Sequence, residues 1–512
     1  MAIQISGTEV ISNSRGLNNI ASVDATTAAS ISAAGVGGGG TIDFTASGAI
    51  SAGDVVVLNS NGTVSVAGQT FTTPTDPPTL HTTSVYESAS TDYQAAVYDP
   101  INEKVVLFYS DKDNSNYLTV VIATISGTSL TLGTPTVVNS AASQHIGACY
   151  DSTNSKIIAS WGDAFVTGQA IVGTVSGTSI SFGTKAQFES GFAKFTACVH
   201  DVNANKIVIV YEDDNNFDYG TAVVGTVSGS AISFGTPSVF YNSANTDNFS
   251  ICYDSANNKV VAAWRASKGY AAVGTVSGTS ISFGTAVAIT TNNINQVALA
   301  FDENTSKVAV ILNHSSFARG EGYVGTVSGT SISFGTSANF VTGGNPSAIR
   351  AAYNSNLNTV GFAYKDATNS NKGTFQIATI SGTTMSFGSD LVFEAGAIET
   401  TGNSIVFDTA SNKWLISYCD TSNANYGTAS LVGDGSTASS TADDWIGIST
   451  EAISDTATGT VTVIGGVNEQ QSGLTVGSTY YVSDSGTLST SGTRKIGKAL
   501  AATDLLITEG NT

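Results

Sequence analysis

The sequence predicts an all-β chain whose centre is a seven-bladed β-propeller. Two recurring phrases, a strand pattern inside each repeat and a turn-rich composition point to it. The phrase VSGTSISFGT and its variants return with the central glycine at Gly127, Gly177, Gly229, Gly278, Gly329 and Gly382, in steps of 50, 52, 49, 51 and 53 residues. A second phrase, an Asp commonly preceded by an aromatic and followed five residues later by Lys, returns seven times. Its first positions are Asp99, Asp151, Asp201, Asp254, Asp302, Asn354 and Asp408, and its last are Lys104, Lys156, Lys206, Lys259, Lys307, Thr359 and Lys413. A period near 50 residues belongs to a repeat architecture. The 54 glycines, only 7 prolines, and Ser and Thr runs between Val, Ile, Tyr and Phe favour short strands joined by tight turns.

Each unit reads as four strands. In the fourth unit these are FSICYD, KVVAAWRA, YAAVGTVSG and SISFGTAVAIT, and alternation in the last puts Ile281 and Phe283 on one face and Ser280 and Ser282 on the other. Such a sheet cannot bury both faces alone, whereas seven stacked radially can. The last unit has three strands and then departs into GDGSTASST. The segment 84–99 matches 238–254 nearly position for position, so the stretch near 79–87 is expected to supply the missing fourth strand and close the ring.

The expected domains follow from this. Residues 76–437 form the propeller, inserted into a small β-barrel or sandwich-like domain made of 41–75 plus 438–512. GDVVVLNSNGTVSV and STYYVSDSGTLST are its paired strand, turn, strand units. Residues 1–40 are a short N-terminal segment ending in the flexible run GVGGGG.

Charge and cysteine usage narrow the function. With 39 acidic against 19 basic residues the net charge is −20, and no basic stripe could displace the counterions of a nucleic acid. Cys149, Cys198, Cys252 and Cys419 are too scattered for a disulfide framework or a zinc site and read as small core residues. No apolar stretch reaches membrane-spanning length, and residues 1–16 lack the basic start and apolar run of an export signal, so no membrane insertion is expected.

Strand direction sorts the turns onto two faces. The DxxxxK and SGTS turns share one face and are nearly uniform, as expected if Asp bonds its own turn and Lys pairs with it across the hairpin. The 2–3 turns and 4–1 loops on the other face differ from blade to blade, from SDKDNSNY to NHSSFARGEGY. Variation on a fixed scaffold is how binding loops are built. An aromatic ends strand two in six of seven blades, and in five of these an Asp follows two residues later. The candidate ligand-binding residues are therefore Tyr211, Asp213, Asn215, Tyr219, Trp264, Tyr364, Asp366, Tyr418 and Asp420. Rings offer stacking platforms to a sugar, and Asp and Asn accept from its hydroxyls. The competing reading is that the aromatics pack blades together and the acids are solvated turn residues.

An enzyme is not expected. His81, His145, His200 and His314 stand in no triad or HExxH context, and paired acids such as Asp213 and Asp214 are the nearest approach to a glycoside-cleaving arrangement. No cofactor or metal is expected; Asp111, Asp113 and Asn114 form a DxDN-like run without the EF-hand glycine and glutamate.

The opening MAIQISGTEVISNSRGLNNIASVDATTAASISAAG resembles the N-terminal segment of virion structural proteins of tailed bacteriophages, especially marine and cyanobacterial ones. DWIGISTEAIS, VTVIGGVNEQQSGLTVGSTYYVSDSGTLS and KIGKALAATDLLI resemble a small phage tail-fibre or decoration domain. The likeness covers the outer quarter of the chain and transfers no functional residue. It implies attachment to other virion proteins through the N-terminal segment, a propeller facing outward on the tail or capsid exterior, assembly in the host cytoplasm, and the homotrimeric state common in fibres. The leading expectation is a tail fibre whose propeller contacts a host surface glycan or receptor. A capsid decoration or head fibre and a glycan-cleaving propeller are the alternatives.

Overall fold

The computed structural model describes residues 3–5, 8–11 and 40–508, except 59–61, 68–69, 244, 440–444, 455–456, 484–485 and 493. Most of the expected attachment segment and its glycine joint lie outside the described residues; within it, Ile3–Ile5 pairs with Thr8–Ile11. The chain divides into two compact units, Pro74–Ser436 and a second made of Met1–Thr73 with Thr437–Thr512.

In the larger unit the pairing repeats seven times. Asp247–Asp254, Lys259–Ala266 and Lys268–Ser277 of the fourth repeat pair antiparallel in order, and the same pattern recurs in every other repeat. All seven first strands line one channel, contributing Ala95, Gly147, Ala197, Ser250, Val297, Arg350 and Ser404. This is a β-propeller. The second strands lie between neighbours on both faces: Val260, Val261, Ala262, Ala263 and Trp264 are each 0% exposed.

The turns explain the repeated phrases. Ser126 pairs with Ser129 across a two-residue Gly-Thr turn, and the six turn glycines have φ between 59° and 61°, a conformation that favours glycine. In the other phrase Asp99 Oδ1 accepts from Ile101 N at 3.0 Å and Asn102 N at 3.1 Å. The equivalent bonds recur at Asp151, Asp201, Asp254, Asp302, Asn354 and Asp408. Asp99 and Lys104 are register partners, but no ion pair joins a turn Asp to its Lys among the described residues. Lys156 Nζ instead donates to Thr174 Oγ1 at 2.9 Å on the third strand, and Lys307 likewise to Thr326 Oγ1 at 3.1 Å. The expected pairing across the hairpin is corrected accordingly: the carboxylate is already occupied by turn amides.

The fourth strand is not continuous. Ser280–Phe283 pairs with the end of strand three and Val287–Asp302 with its start, with a break at Gly284. A Cβ on Gly284 would collide with the carbonyl oxygen of Thr330 in the next blade's SGTS turn. Gly183, Gly235 and Gly335 meet Ser230, Thr279 and Thr383 in the same way. The glycine of SFGT thus exists because a neighbouring backbone rests on it.

Thr70–Asp99 is a single 30-residue strand. Its first part pairs with Tyr426–Ser439 of the seventh repeat and its last part with Lys104–Asp111 of the first. Thr83 Oγ1 lies 2.9 Å from Ser430 Oγ, and Tyr86 is buried against Tyr109, with ring centroids 5.1 Å apart.

The smaller unit holds two five-stranded sheets: one interleaves strands from both flanks, Thr41–Thr45, Val55–Leu58 and Val64–Val66 with Trp445–Ser449 and Thr458–Thr462, and the other comes from the second flank alone. Val55–Leu58 with Val64–Val66 sits in the first and Thr479–Val482 with Leu488–Ser489 in the second. Val55, Val57, Trp445, Ile448, Tyr480, Val482, Ile496 and Leu505 pack between them.

Candidate functional site: the mouth of the channel

Strand one of every blade begins with a register shift at the end that carries the 2–3 turns and 4–1 loops. The shifts fall between Asp92/Ala95, Gln144/Gly147, Lys194/Ala197, Asp247/Ser250, Ile294/Val297, Ser347/Arg350 and Ile398/Asn403. A bulge of this kind leaves residues unpaired and re-aims their side chains. At Tyr93, His145, Phe195, Asn248 and Ala348 the first such residue has φ between 50° and 53°, the left-handed region that side chains other than glycine seldom adopt. Strain held at equivalent places in five blades is the kind of local cost that clusters at ligand sites.

The bulged residues surround a cavity of about 110 Å³ at the channel mouth. Tyr93, His145 and Phe195 make an aromatic wall, with His145 at 4.7 Å from the Tyr93 ring and 4.5 Å from that of Phe195. Burial, aided by Lys194, pushes the His145 imidazole down to about 4, so it is neutral at pH 7. Gln94, Thr196, Asn248, Gln296 and Thr400 supply amides and hydroxyls, and Arg350 stands on the wall facing both this cavity and the channel below it.

The expected site residues divide. Tyr211, Trp264, Tyr364 and Tyr418 are each 0% exposed, which corrects their role as stacking platforms. They lie inside the blades, and the tyrosine hydroxyls donate to carboxylates of the fourth strand region: Tyr211 to Glu189 at 2.8 Å, Tyr364 to Asp390 at 3.2 Å and Tyr418 to Glu394 at 2.8 Å. Asp213, Asp366 and Asp420 are also buried, and Asp366 and Asp420 cap their turns by accepting from Thr368 N at 2.8 Å and Ser422 N at 2.9 Å. Burial raises the Asp213 carboxyl above its usual range. For the four aromatics the geometry follows the packing reading; the three acids are turn residues, but buried rather than solvated. Asn215 is exposed and Tyr219 half-buried, and both remain on the surface.

The exposed rings of this face are others. Phe165, Phe217 and Phe317 are 56%, 74% and 55% exposed, all in 2–3 turns. Phe217 lies 5.6 Å from Tyr219, and the Arg319 guanidinium sits 5.2 Å from the Phe317 ring. An apolar ring inside GDAFVTGQ, EDDNNFDYG or NHSSFARGEGY was a readable signal that the strand-end aromatics obscured. Beside them, Glu212, Asp214 and Asp218 gather around Lys194 Nζ, with Glu212 at 3.0 Å and Asp218 at 3.3 Å. Burial pushes the Glu212 carboxyl up to about 7 against the opposing pull of that lysine.

No protein-family model matches the chain, and no curated protein matches it. Solved structures do. The BP39L lectin from Burkholderia pseudomallei is similar with a TM-score of 0.52 and 11% identity, over 69% of this chain and 98% of that one. The β-propeller domain of Cps50 (Swd1) from Myceliophteria thermophila gives a TM-score of 0.46 at 10% identity, covering 69% and 100% of the two chains. A chain of the mitotic checkpoint complex gives 0.47 at 8%, covering 71% and 98%. The likeness to the lectin is one of fold, and it agrees with the propeller built from strand pairing.

Proposed function

We propose that the chain is a structural protein of a tailed-phage virion, a tail fibre whose propeller binds a glycan or receptor on the host surface. The observation that carries the binding half is the contrast between the faces. On one, the Asx-type turns repeat almost unchanged. On the other, the exposed Phe165, Phe217 and Phe317 stand among Asn- and Ser-rich loops around a mouth walled by strained aromatic residues. Exposed rings beside amides suit the C–H faces and hydroxyls of a saccharide. The virion half rests on the resemblance of the two chain ends to phage fibre and decoration proteins. The propeller likeness supplies a scaffold that carries many functions and decides none of them.

Adsorption of the purified chain to host cells tests the first half. Phe217→Ala should weaken binding by about 1–3 kcal/mol if the ring is a hot spot. Alanine is already accommodated at positive φ in the corresponding turns at Ala164, Ala318 and Ala424, so folding should be unaffected. Lys156→Ala on the uniform face should leave adsorption unchanged, and the reverse result would refute the choice of face. Gold-labelled antibody against residues 76–437 tests the second half: label at the capsid rather than the tail would turn the protein into a decoration or head fibre.

A further inference from the structure

Arg350 is out of pattern in its own ring of positions. It lies four residues before the turn Asn354, opposite Ala363, and its counterparts in the other blades are Ala95, Gly147, Ala197, Ser250, Ala298 and Ser404. Six small or neutral residues and one long cation therefore face the channel. Among the described residues lining the mouth and the channel there is no Asp, Glu or Lys, so Arg350 is the sole formal charge there. In a chain of net charge −20 it has no carboxylate partner among the described residues. Its side-chain hydrogen bond runs from Nη1 to the carbonyl of its neighbour Ile349 at 2.8 Å. Burial pulls its guanidinium below the ordinary arginine value, and it remains a cation at neutral pH.

Arg350 is half-buried, and a guanidinium held partly out of water without an anion is costly, while its planar fork of donors is shaped for a carboxylate. Its surroundings add the rest of a recognition site. Gln94 is 5% exposed, lines both cavities, and its Oε1 has no partner, while its Nε2 donates to Thr91 Oγ1 at 2.9 Å. Gln296 is fixed through Oε1, which accepts from Ile349 N at 3.2 Å. The aromatic wall supplies a stacking surface. At about 10–15 Å³ for each water-sized sphere, the mouth has room for roughly eight waters, the space of one pyranose ring.

We infer that the channel mouth is the saccharide pocket of this propeller and that it selects an acidic sugar, its carboxylate paired with Arg350 and its ring against Tyr93, His145 and Phe195. This rests on the glycan-binding reading above and names the class of sugar. The unpaired Gln94 Oε1 accepts a sugar hydroxyl, and the neutral His145 serves as donor or acceptor beside it. Neutral hexoses lack the group that would complete Arg350.

The test is a titration of the full chain, followed by NMR, with methyl glucuronide, methyl glucoside and inorganic sulfate. Methyl glucuronide should bind at least tenfold more tightly than methyl glucoside. Arg350→Gln should abolish that preference, and Phe195→Ala should weaken both glycosides, its backbone being one that Ala348 already adopts in another blade. If Arg350→Gln fails to fold, Arg350→Lys replaces it, with the acid preference reduced but retained. Equal affinities in the unaltered protein, or a preference that survives Arg350→Gln, overturn the inference. Sulfate competing as well as the glucuronide overturns the saccharide part and leaves a simple anion site. Cell adsorption separates this from the broader reading: unaffected by Arg350→Gln but lost in Phe217→Ala, it removes the pocket and keeps the face. Absence of adsorption by the unaltered chain removes the face itself.

Discussion

Replacing Gly284 by alanine probes the join between blades more directly than any core truncation. The added methyl would run into the Thr330 carbonyl oxygen of the following blade, a backbone atom that cannot rotate away. Relief requires the SGTS turn, and the strands it joins, to move by a good part of an ångström or more. Overpacking of this kind costs about 1–3 kcal/mol, and a backbone obstacle places Gly284→Ala near the top, at about 3 kcal/mol. Gly278→Ala is the control. Its methyl meets nothing within 4 Å, but its φ of +60° imposes left-handed strain of about 1 kcal/mol. The difference of about 2 kcal/mol should be read in urea unfolding followed by tryptophan fluorescence, because Trp161, Trp264 and Trp414 are each 0% exposed within the propeller. If Gly278→Ala costs as much as Gly284→Ala, the fourth-strand glycine is not held by its neighbour and the account of the SFGT phrase fails.

Ring closure and the channel mouth allow two further tests. Tyr86→Ala should cost about 3–5 kcal/mol and Leu80→Ala, at 37% exposure, under about 1 kcal/mol, in the same urea assay; equal losses would show that the strand does not close the ring through Tyr86. His145 is held neutral with its imidazole at about 4, below its ordinary 6.5. Between those values the unfolded chain binds a proton that the folded chain does not, so stability present above pH 6.5 should decline as the pH falls toward 4. His145→Phe, which copies the Phe195 of the next blade, should flatten that decline in thermal melts between pH 4 and 7, and an unchanged slope would refute the assignment.

Much of the propeller was legible because its determinants are local. A Gly-Thr turn and an Asx turn each need only their own few residues, and alternation in SISF correctly separates exposed Ser280 and Ser282 from buried Ile281. The break after Phe283 was not legible, since it depends on a carbonyl some 46 residues further along the chain, Thr330 against Gly284. The candidate site suffered from a related blindness. A strand such as Lys259–Ala266 is covered on both faces, so alternation says nothing about which end aromatic emerges, and Trp264 stays inside. The bulges at Tyr93, His145, Phe195 and Asn248 carry no glycine to announce them. Arg350 was within reach of the sequence: aligning the first strands sets it against Ala95, Ala197 and Ser250.

The continuous strand Thr70–Asp99 gives the chain an order of assembly. Blades one to six each join segments within some 40–50 residues of one another, so they can form while the rest is still being made. The seventh cannot, because Thr83 and Ser430 are 347 residues apart. Bringing together the ends of so long a loop costs about 5 kcal/mol of entropy by the logarithmic rule, and a local hairpin far less. The same closure also draws together Thr41 and Thr462, which pair in the smaller unit. Whichever of the two joins forms first shortens the remaining search for the other, so the propeller's final blade and the sheet outside it should appear as one late kinetic event.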